Sequence, residues 1–312
     1  MKFIIDRKTA IADNITLFEL RPAGDTGLPD FTPGAHVAVI VPGGLVRKYS
    51  LCNKPGDRSR YRFAVKREAE GGGGSRALVD GTQVGDTLDV GEPRNDFPLD
   101  DTAADFVFIA GGIGITPIYA MMKHLDELGR GYTLYYFTRT EADAAFRDDL
   151  IHPGAGRQIV LHHDGGDPRM GLDLGALLAN RPEGAHLYCC GPRPLMDAVR
   201  AAAGHWASGS IHFEDFGREA AVADGDQPFD VHLARSDRVI TVSTQQTMME
   251  AIRDAGIAMP SSCETGTCGT CRTALLAGVA DHRDLVLFDD EYDDFIIPCV
   301  SRAKTPEITI DL

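Results

Sequence analysis

Long apolar runs are missing from this chain of 312 residues. No window approaches the roughly 18 consecutive apolar residues that a membrane-spanning helix needs. Residues 1–7 reach charged side chains before any apolar stretch of signal-peptide length. We therefore expect a protein that does not associate with a membrane and that is located in the cytoplasm.

Basic residues are also scarce, with 31 Lys and Arg against 46 Asp and Glu and a formal net charge of −15. A protein that binds nucleic acid needs clustered Lys and Arg to displace the counterions of the phosphate backbone. The acidic excess is concentrated in residues 226–312, which contain 15 acidic and 7 basic side chains. We therefore expect no nucleic-acid partner.

A framework of disulfide bonds is not expected either. The chain has seven cysteines, an odd number, and four of them fall in the last fifty residues. Secreted domains that depend on disulfides usually have an even set of cysteines distributed over the whole chain. The crowding therefore favours metal binding.

Internal repeats are absent, and the length fits two or three domains of roughly 100 to 150 residues each. Short alternating runs, such as residues 37–41 and 61–65, are separated by Pro and Gly turns. This pattern is typical of a small antiparallel barrel. We predict an antiparallel β-barrel domain over residues 1–102.

Strand and helix patterns alternate after the barrel. Strands are predicted at residues 106–109, 132–137, 158–163 and 186–190, with helices at 117–128 and 195–202. Such alternation predicts a parallel α/β domain, here over residues 103–217. Small, polar and acidic residues at 218–227 predict a linker, which leaves residues 228–312 for a third domain.

The strongest motif is a C-x4-C-x2-C spacing with a distant fourth cysteine, formed by Cys263, Cys268, Cys271 and Cys299. This is the spacing of plant-type 2Fe-2S ferredoxins. The cluster and its thiolates carry negative charge, so a tight, glycine-containing loop must turn backbone N–H groups toward sulfur. The alternatives are buried cysteines or a structural zinc site, although zinc sites usually pair two Cys-x2-Cys knuckles.

A glycine loop, residues 111–114, lies between a predicted strand and a predicted helix. Thr116 is placed to cap this helix, and Pro117 suits its first position. The free N–H groups of a helix start favour a phosphate or another anion, although tight packing is an equal alternative for this loop. Cys190 and Gly191 end a later strand of the same domain, where α/β sheets bind ligands.

Two motifs of the first domain are suited to a charged ligand. Arg47, Tyr49 and Ser50 end a predicted strand and offer a positive charge, an aromatic face and a hydroxyl. A glycine run at residues 72–74 then opens a helical stretch, which suits a phosphate. The alternatives are a solvated strand charge and a flexible hairpin.

In this order, the motifs resemble the flavin-dependent ferredoxin reductase superfamily. The likeness to the phthalate dioxygenase reductase and vanillate demethylase reductase family covers essentially the whole chain. It implies three domains: an antiparallel β-barrel that binds flavin, a parallel α/β domain that binds nicotinamide, and an α+β (β-grasp) ferredoxin domain.

The resemblance also assigns the cofactor sites. It implies FMN, in preference to FAD, beside Arg47, Tyr49, Ser50, Val65, Lys66, Arg67, Gly73, Gly74, Ser75, Thr116 and Phe216. It implies NADH beside Gly112, Gly114, Cys190 and Gly191, and the 2Fe-2S cluster on Cys263, Cys268, Cys271 and Cys299. One departure is Gly72, where relatives often have Arg, so one charge that faces the phosphate is missing here.

The reaction follows from the cofactors. NADH gives up a hydride, whereas a 2Fe-2S centre takes single electrons, so a flavin must convert between them. We expect no side chain to act as a general acid or base. The resemblance implies that the acceptor is the Rieske-type terminal oxygenase of a system that oxidises aromatic or methoxy groups.

Several alternatives stay open from the sequence. The acceptor could instead be a cytochrome P450 or a ferredoxin, and the protein could be a redox sensor without enzymatic turnover or a zinc-stapled binding protein. Arg139, which follows a predicted strand, leaves NADPH open, because an arginine there could meet a 2′-phosphate. The acidic run at residues 289–294 is either a docking surface for a basic acceptor or a solvated loop. The sequence does not determine the oligomeric state, and a monomer is our working expectation.

Overall fold

The computed structural model describes residues 1–24, 27–152, 154, 156–217, 222, 223 and 225–312. The chain divides into two compact units, Met1–His212 and Phe213–Leu312. Residues 218–221 and 224 of the predicted linker lie outside the described residues. No helix in the described part of the chain is long and apolar enough to cross a membrane.

The first unit begins with a six-stranded antiparallel sheet. Its elements are β1 (Lys2–Ala12), β2 (Ile15–Pro22), β3 (His36–Ile40), β4 (Val46–Ser50), β5 (Tyr61–Lys66), α1 (Gly74–Gly81) and β6 (Thr87–Val90). The order across the sheet is β4-β3-β6-β1-β2-β5, and the two end strands contact each other. The sheet therefore curls into a barrel.

Alternating side chains fill the barrel. In β5, Tyr61, Phe63 and Val65 are all buried in one core with Phe3 and Phe18. They share this core because every second residue of a strand faces the same side. The apolar residues that alternate along the sequence and predict the barrel are therefore the residues that form its core.

A five-stranded sheet follows in the chain. Its elements are β7 (Asp105–Gly111), α2 (Ile115–Glu127), β8 (Tyr132–Thr138), α3 (Arg147–Leu150), β9 (Arg157–His163), α4 (Leu174–Leu178), β10 (Ala185–Cys190), α5 (Arg193–Ala202) and β11 (Ile211–Glu214). The order is β11-β10-β7-β8-β9, and β10, β7, β8 and β9 pair in parallel. A shared core packs Ile15 and Ala64 of the barrel with Phe106 and Phe108 of this sheet.

The second unit contains a mixed sheet with the order β13-β12-β18-β14-β16 and a separate pair, β15 with β17. Its elements are β12 (Phe229–Leu233), β13 (Arg238–Val242), α6 (Met248–Asp254), β14 (Thr273–Ala277), β15 (Ala280–Asp281), β16 (Phe295–Ile296), β17 (Arg302–Ala303) and β18 (Glu307–Ile310). Strands β12 and β18 are parallel, and Met248 and Ile252 of α6 pack into the core of this unit. A mixed sheet with one packed helix matches the predicted α+β domain.

Candidate functional site

The guanidinium group of Arg47 lies across the start of α1. Its Nη2 donates to the carbonyl oxygen of Gly72 at 3.3 Å. A Cβ on Gly74 would come within 2.6 Å of the Arg47 Nε, so glycine permits this close approach. Gly73 precedes the helix with a φ of +78°, which favours glycine. A fixed positive charge therefore lies beside the first N–H groups of a helix, an arrangement that fits a phosphate.

Tyr49 and Ser50 follow Arg47 on β4, and the hydroxyl oxygens of both are buried without a hydrogen-bond partner. The Tyr49 ring stacks on Phe63 of β5, with centroids 5.0 Å apart and planes inclined by 8°. Burial raises the pKa of Tyr49 to about 12, so its hydroxyl stays protonated. Buried polar atoms normally have partners. The two oxygens therefore fit a site where a bound polar molecule such as a flavin supplies them.

The end of β5 is tied to α1 by polar contacts. Arg67 Nε donates to Asp80 at 2.9 Å, and Ser75 Oγ accepts the N–H of Glu68 at 3.0 Å. Lys66 pairs with Glu68 at 2.9 Å on the surface. Arg67 and Ser75 thus shape the segment that leads into the glycine run. Sequence reasoning missed Asp80, because no local pattern connects it to an arginine 13 positions away.

The second site element is the point where the strand order of the parallel sheet reverses. Strand β7 lies between β8, which follows it in the chain, and β10, which comes much later. Open α/β sheets bind ligands outside the carboxyl ends of strands at such a point. The glycine loop follows β7, and Cys190 and Gly191 end β10, so the structure brings both motifs to this crevice. A Cβ on Gly191 would come within 3.0 Å of the Cα of Gly111.

Close backbone packing explains most of the glycines in this crevice. A Cβ on Gly114 would lie 2.2 Å from the carbonyl oxygen of Cys190, and one on Gly111 would lie 2.6 Å from the Cδ of Pro192. Gly112 differs, because a Cβ there would meet nothing within 4 Å. Its φ of +54° still favours glycine. Gly112 therefore borders open space at the mouth of the crevice.

Helix α2 begins at Ile115, with Gly114 as its N-cap. The expectation that Thr116 caps this helix and Pro117 opens it is therefore wrong. The reason is that a 3-10 turn over Gly112–Gly114 runs directly into the helix. The helix therefore starts two residues earlier in the chain than expected. The Thr116 hydroxyl donates instead to the Ile113 carbonyl at 3.0 Å. Strand β5 of the barrel contacts the same 3-10 turn, so β5 and the glycine loop are adjacent within the first unit.

Two residues considered from the sequence lie at the surface. Phe216, in the second unit, is 50% exposed. Arg139 follows β8 and is exposed, and its carbonyl accepts the N–H of Gly165 at 2.8 Å. Its side chain runs alongside Gly166, where a Cβ would lie 3.7 Å from the Arg139 Cδ. Arg139 thus lies at the carboxyl edge of the sheet, the edge at which open α/β sheets bind ligands.

The four thiols of the cysteine motif are connected by three contacts. Cys263 contacts Cys268 and Cys299, and Cys271 contacts Cys299. Hydrogen bonds from Cys268 and Cys299 lower the pKa of the Cys263 thiol. Within the described residues, no group of three or more His, Cys, Asp or Glu side chains is arranged to hold a single metal ion. The three thiol contacts nevertheless connect all four predicted ligands into one set of neighbours.

Backbone N–H groups point at these sulfur atoms. The N–H of Thr265 donates to the Cys263 Sγ at 3.4 Å, and the backbone of Thr267 donates to the same thiol. Thr270 contacts the Cys268 Sγ twice, through its hydroxyl at 3.2 Å and through its backbone N–H. Donors of this kind stabilise the negative charge of an iron-sulfur cluster. The segment 263–271, called the cysteine loop below, therefore fits a 2Fe-2S group.

Glycines allow the cysteine loop to fold this way. Gly266 has a φ of +77°, and a Cβ there would lie 2.6 Å from the Cγ2 of Val300. Gly269 has a φ of +72°, and its Cβ would lie 3.2 Å from the Cγ1 of Val286. Both conformations are ones that side chains with a Cβ seldom adopt. The loop therefore requires glycine at these two positions for conformation and for space.

Sequence reasoning missed Asp284, which is 2% exposed and supports the cysteine loop. Its carboxylate accepts the N–H groups of Val286 at 3.0 Å and Leu287 at 2.7 Å. This turn brings the N–H of Leu285 to the carbonyl of Gly266 at 2.9 Å. An Asp that accepts from the backbone two residues on is typical of a turn. The sequence therefore indicates a turn at Asp284, but it does not indicate that this turn packs against the cysteine loop.

Four carboxylates form an exposed group that precedes Cys299 in the chain, and we call it the acidic loop. Its members are Asp289, Asp290, Asp293 and Asp294. Glu291, within the same run, has a different role, because it pairs with Arg272 at 2.8 Å and accepts the N–H of Phe288. The acidic loop is therefore a charged surface supported by a structural ion pair.

Two family models match the chain. The model described as oxidoreductase FAD-binding domain covers residues 2–98, and the one described as 2Fe-2S iron-sulfur cluster binding domain covers residues 231–304. A phthalate dioxygenase reductase from Burkholderia cepacia is 45% identical over 100% of this chain and 97% of the relative. The chain belongs to the phthalate dioxygenase reductase family.

Further relatives agree with this membership. The phthalate 4,5-dioxygenase oxygenase reductase subunit of Pseudomonas putida is 47% identical over 98% of this chain and 94% of its own. The vanillate O-demethylase oxidoreductase of Pseudomonas sp. (strain HR199 / DSM 7063) is 38% identical over 100% of both chains. A solved phthalate dioxygenase reductase structure, 45% identical, covers 100% of this chain and 98% of its own with a TM-score of 0.70.

These likenesses confirm the predicted fold class of this family member and its identity as an oxidoreductase that carries a flavin and a 2Fe-2S cluster. The zinc-stapled alternative is thereby set aside. The matching barrel model names FAD, so FMN stays a prediction. The assignment of single residues to each cofactor also stays a prediction.

Proposed function

We propose that this reductase is the NADH-dependent component of a multicomponent Rieske-type oxygenase. A hydride passes from NADH to FMN, and single electrons then pass through the 2Fe-2S cluster to the terminal oxygenase. The main support is the contact of β5 with the Gly112–Gly114 turn, because it makes β5, the strand that we assign to the flavin, adjacent to the nucleotide crevice. The names of the full-length relatives support an oxygenase as the acceptor.

The bound flavin supplies the conversion between a two-electron hydride and single electrons. The chain's own residues supply placement. Arg47 and the first turn of α1 would hold the phosphate, and the buried hydroxyls of Tyr49 and Ser50 would bond to polar atoms of the flavin. Gly112 leaves room for the nicotinamide at the mouth of the crevice. No acid or base is required.

The phosphate site favours FMN in this proposal. Arg47 lies close to the glycine run, since a Cβ added to Gly72 would lie only 3.2 Å from the Arg47 Nη2. Gly72 therefore leaves space for the Arg47 guanidinium beside the helix start, where this one arginine supplies the positive charge. Charge-assisted hydrogen bonds of this kind suit the terminal phosphate of FMN. Chromatography of the flavin released by heat distinguishes FMN from FAD.

The remaining sites complete the proposal. Cys263, Cys268, Cys271 and Cys299 would hold the cluster through thiolates, and the N–H groups of the cysteine loop would stabilise its negative charge. We propose NADH in preference to NADPH, although exposed Arg139 could meet a 2′-phosphate. Steady-state kinetics with both nucleotides decide this point.

We propose a division into a flavin domain (1–102), a nicotinamide domain (103–217), a linker (218–227) and a ferredoxin domain (228–312). Asp226, near the end of the linker, accepts from Arg283 at 2.6 Å, which supports a boundary close to residue 228. Limited proteolysis with mass spectrometry of the fragments tests the boundaries. We further propose that the protein is a monomer located in the cytoplasm. The mass of the purified protein, measured by light scattering, tests the monomeric state.

The deciding experiment couples the purified reductase to candidate acceptors. NADH, the reductase and a Rieske-type oxygenase should convert an aromatic or methoxylated substrate with stoichiometric NADH consumption. A cytochrome P450 and a ferredoxin serve as competing acceptors. Faster turnover with either competitor would overturn the choice of acceptor, and slow reoxidation with every acceptor would favour a redox sensor.

A further inference from the structure

We propose that Tyr136 is a positioning residue for the nicotinamide site, because its hydroxyl fixes the orientation of the peptide that follows Gly112. The inference rests on the proposed nicotinamide role of the glycine loop. Tyr136 lies outside both motifs in the sequence, on the strand next to the one that the glycine loop follows.

Tyr136 lies in β8, paired with Ala110 of β7 shortly before the glycine loop. Its side chain is 1% exposed, so the hydroxyl depends on partners within the protein. It donates to the carbonyl oxygen of Gly112 at 3.0 Å and accepts the N–H of Ala145 at 3.1 Å. Burial raises the pKa of this hydroxyl, so it remains a donor. One buried hydroxyl therefore bridges two loops.

The consequence for the glycine loop follows from peptide planarity. In a trans peptide the C=O and the following N–H point in opposite directions. The Gly112 carbonyl accepts from Tyr136 and from the N–H of Ile115. The N–H of Ile113 is therefore directed away from both, out of the start of α2. N–H groups in this position are the ones that meet ligand acceptors.

Glycine alone would not hold this orientation. Gly112 has a φ of +54°, and a Cβ there would meet nothing within 4 Å, so no side-chain contact restrains the residue. A glycine peptide of this kind has several accessible conformations. The hydroxyl of Tyr136 adds a restraint from the neighbouring strand to the one that the Ile115 N–H supplies from the helix.

The bridge continues from Ala145 toward the flavin side. In the same loop, the carbonyl of Ala142 accepts the N–H of Asp13, in the turn between β1 and β2, at 2.8 Å. Asn14 follows Asp13 in this turn, and its carbonyl accepts the N–H of Arg67, directly after β5, at 2.7 Å. All of these residues belong to the first unit. Tyr136 thus places the glycine loop relative to the strand that we assign to the flavin.

The test compares Tyr136→Phe with a matched control, Tyr132→Phe, in the flavin-containing protein. Tyr132 lies four residues earlier in β8, and its hydroxyl donates to Asp126 at 3.2 Å, away from the loop. Calorimetric titration with NAD⁺ should give a Kd raised about 3- to 10-fold in Tyr136→Phe, since one buried hydrogen bond is lost. The control should stay within about twofold of wild type. Flavin content should be equal in all three proteins.

The outcomes separate this inference from the proposed function. If wild type binds NAD⁺ and the two variants share its Kd, the positioning role is overturned while the proposed function stands. If wild type fails to bind NAD⁺, the proposed function is overturned and the inference with it. A loss of stability in Tyr136→Phe without a change in Kd would show a structural role only, and would also overturn the proposal.

Hydrogen exchange of the wild-type protein gives an answer even if the variant does not fold. NAD⁺ should protect amides in residues 111–116 and, through Tyr136, amides in residues 142–146. Protection of the first segment without the second would overturn the bridge.

Discussion

Gly114→Ala tests whether the two turns of the nucleotide crevice must be in backbone contact. The new Cβ would lie 2.2 Å from the carbonyl oxygen of Cys190, and 2.9 Å from the backbone nitrogen of Gly191. Non-bonded heavy atoms settle roughly 3.5–4.0 Å apart, so one turn must move by about 1 Å or more. Overpacking of this kind costs about 1–3 kcal/mol of stability. A displacement of about 1 Å in a reacting geometry can lower a rate about 100-fold.

The assay is anaerobic stopped-flow reduction of the flavin by NADH, with urea unfolding in parallel. Gly209→Ala is the control, because a Cβ there would meet nothing within 4 Å. Gly114→Ala should reduce its flavin about 10- to 100-fold more slowly. The control should behave as wild type. A wild-type rate together with an unchanged free energy of unfolding in Gly114→Ala would refute the reasoning.

Three further predictions concern the other sites. Arg47→Ala should weaken flavin binding by about 1.5–3 kcal/mol, because a charge-assisted contact is lost; flavin content that is unchanged after dialysis would count against the phosphate site. Cys268→Ser should remove or destabilise the cluster while NADH still reduces the flavin, and equal loss of both activities would contradict the modular arrangement. Replacing the four residues of the acidic loop by Asn should slow electron delivery to the oxygenase but spare ferricyanide reduction, which needs no docking. Because exposed charges are screened over roughly 8–10 Å, the wild-type rate should also fall more steeply with salt than that of the variant, and identical salt dependence would show that docking occurs elsewhere.

Local patterns predicted the fold classes and the elements that hold the motifs. The period of two in the first domain corresponds to a buried row such as Tyr61, Phe63 and Val65 in β5. The cysteine spacing led to the correct kind of domain, because a cluster loop is defined by residues close in sequence. These features need no knowledge of what packs against them.

The missed features depend on contacts between distant segments. Asp284 supports the cysteine loop, and Tyr136 bonds to the loop after a neighbouring strand. Neither partner lies close in sequence, so no motif connects them. The start of α2 was misplaced for a related reason, since the 3-10 turn that precedes Ile115 forms where Gly114 packs on Cys190. Tertiary packing, and not local propensity, sets these details.

The most direct test of the account is an anaerobic titration of the purified protein with NADH, followed by visible spectroscopy. If electrons pass from NADH through the flavin to the cluster, complete bleaching of both should require about 1.5 equivalents of NADH, because the flavin takes two electrons and the cluster one. Bleaching of the flavin with the cluster still oxidised under excess NADH would contradict the account.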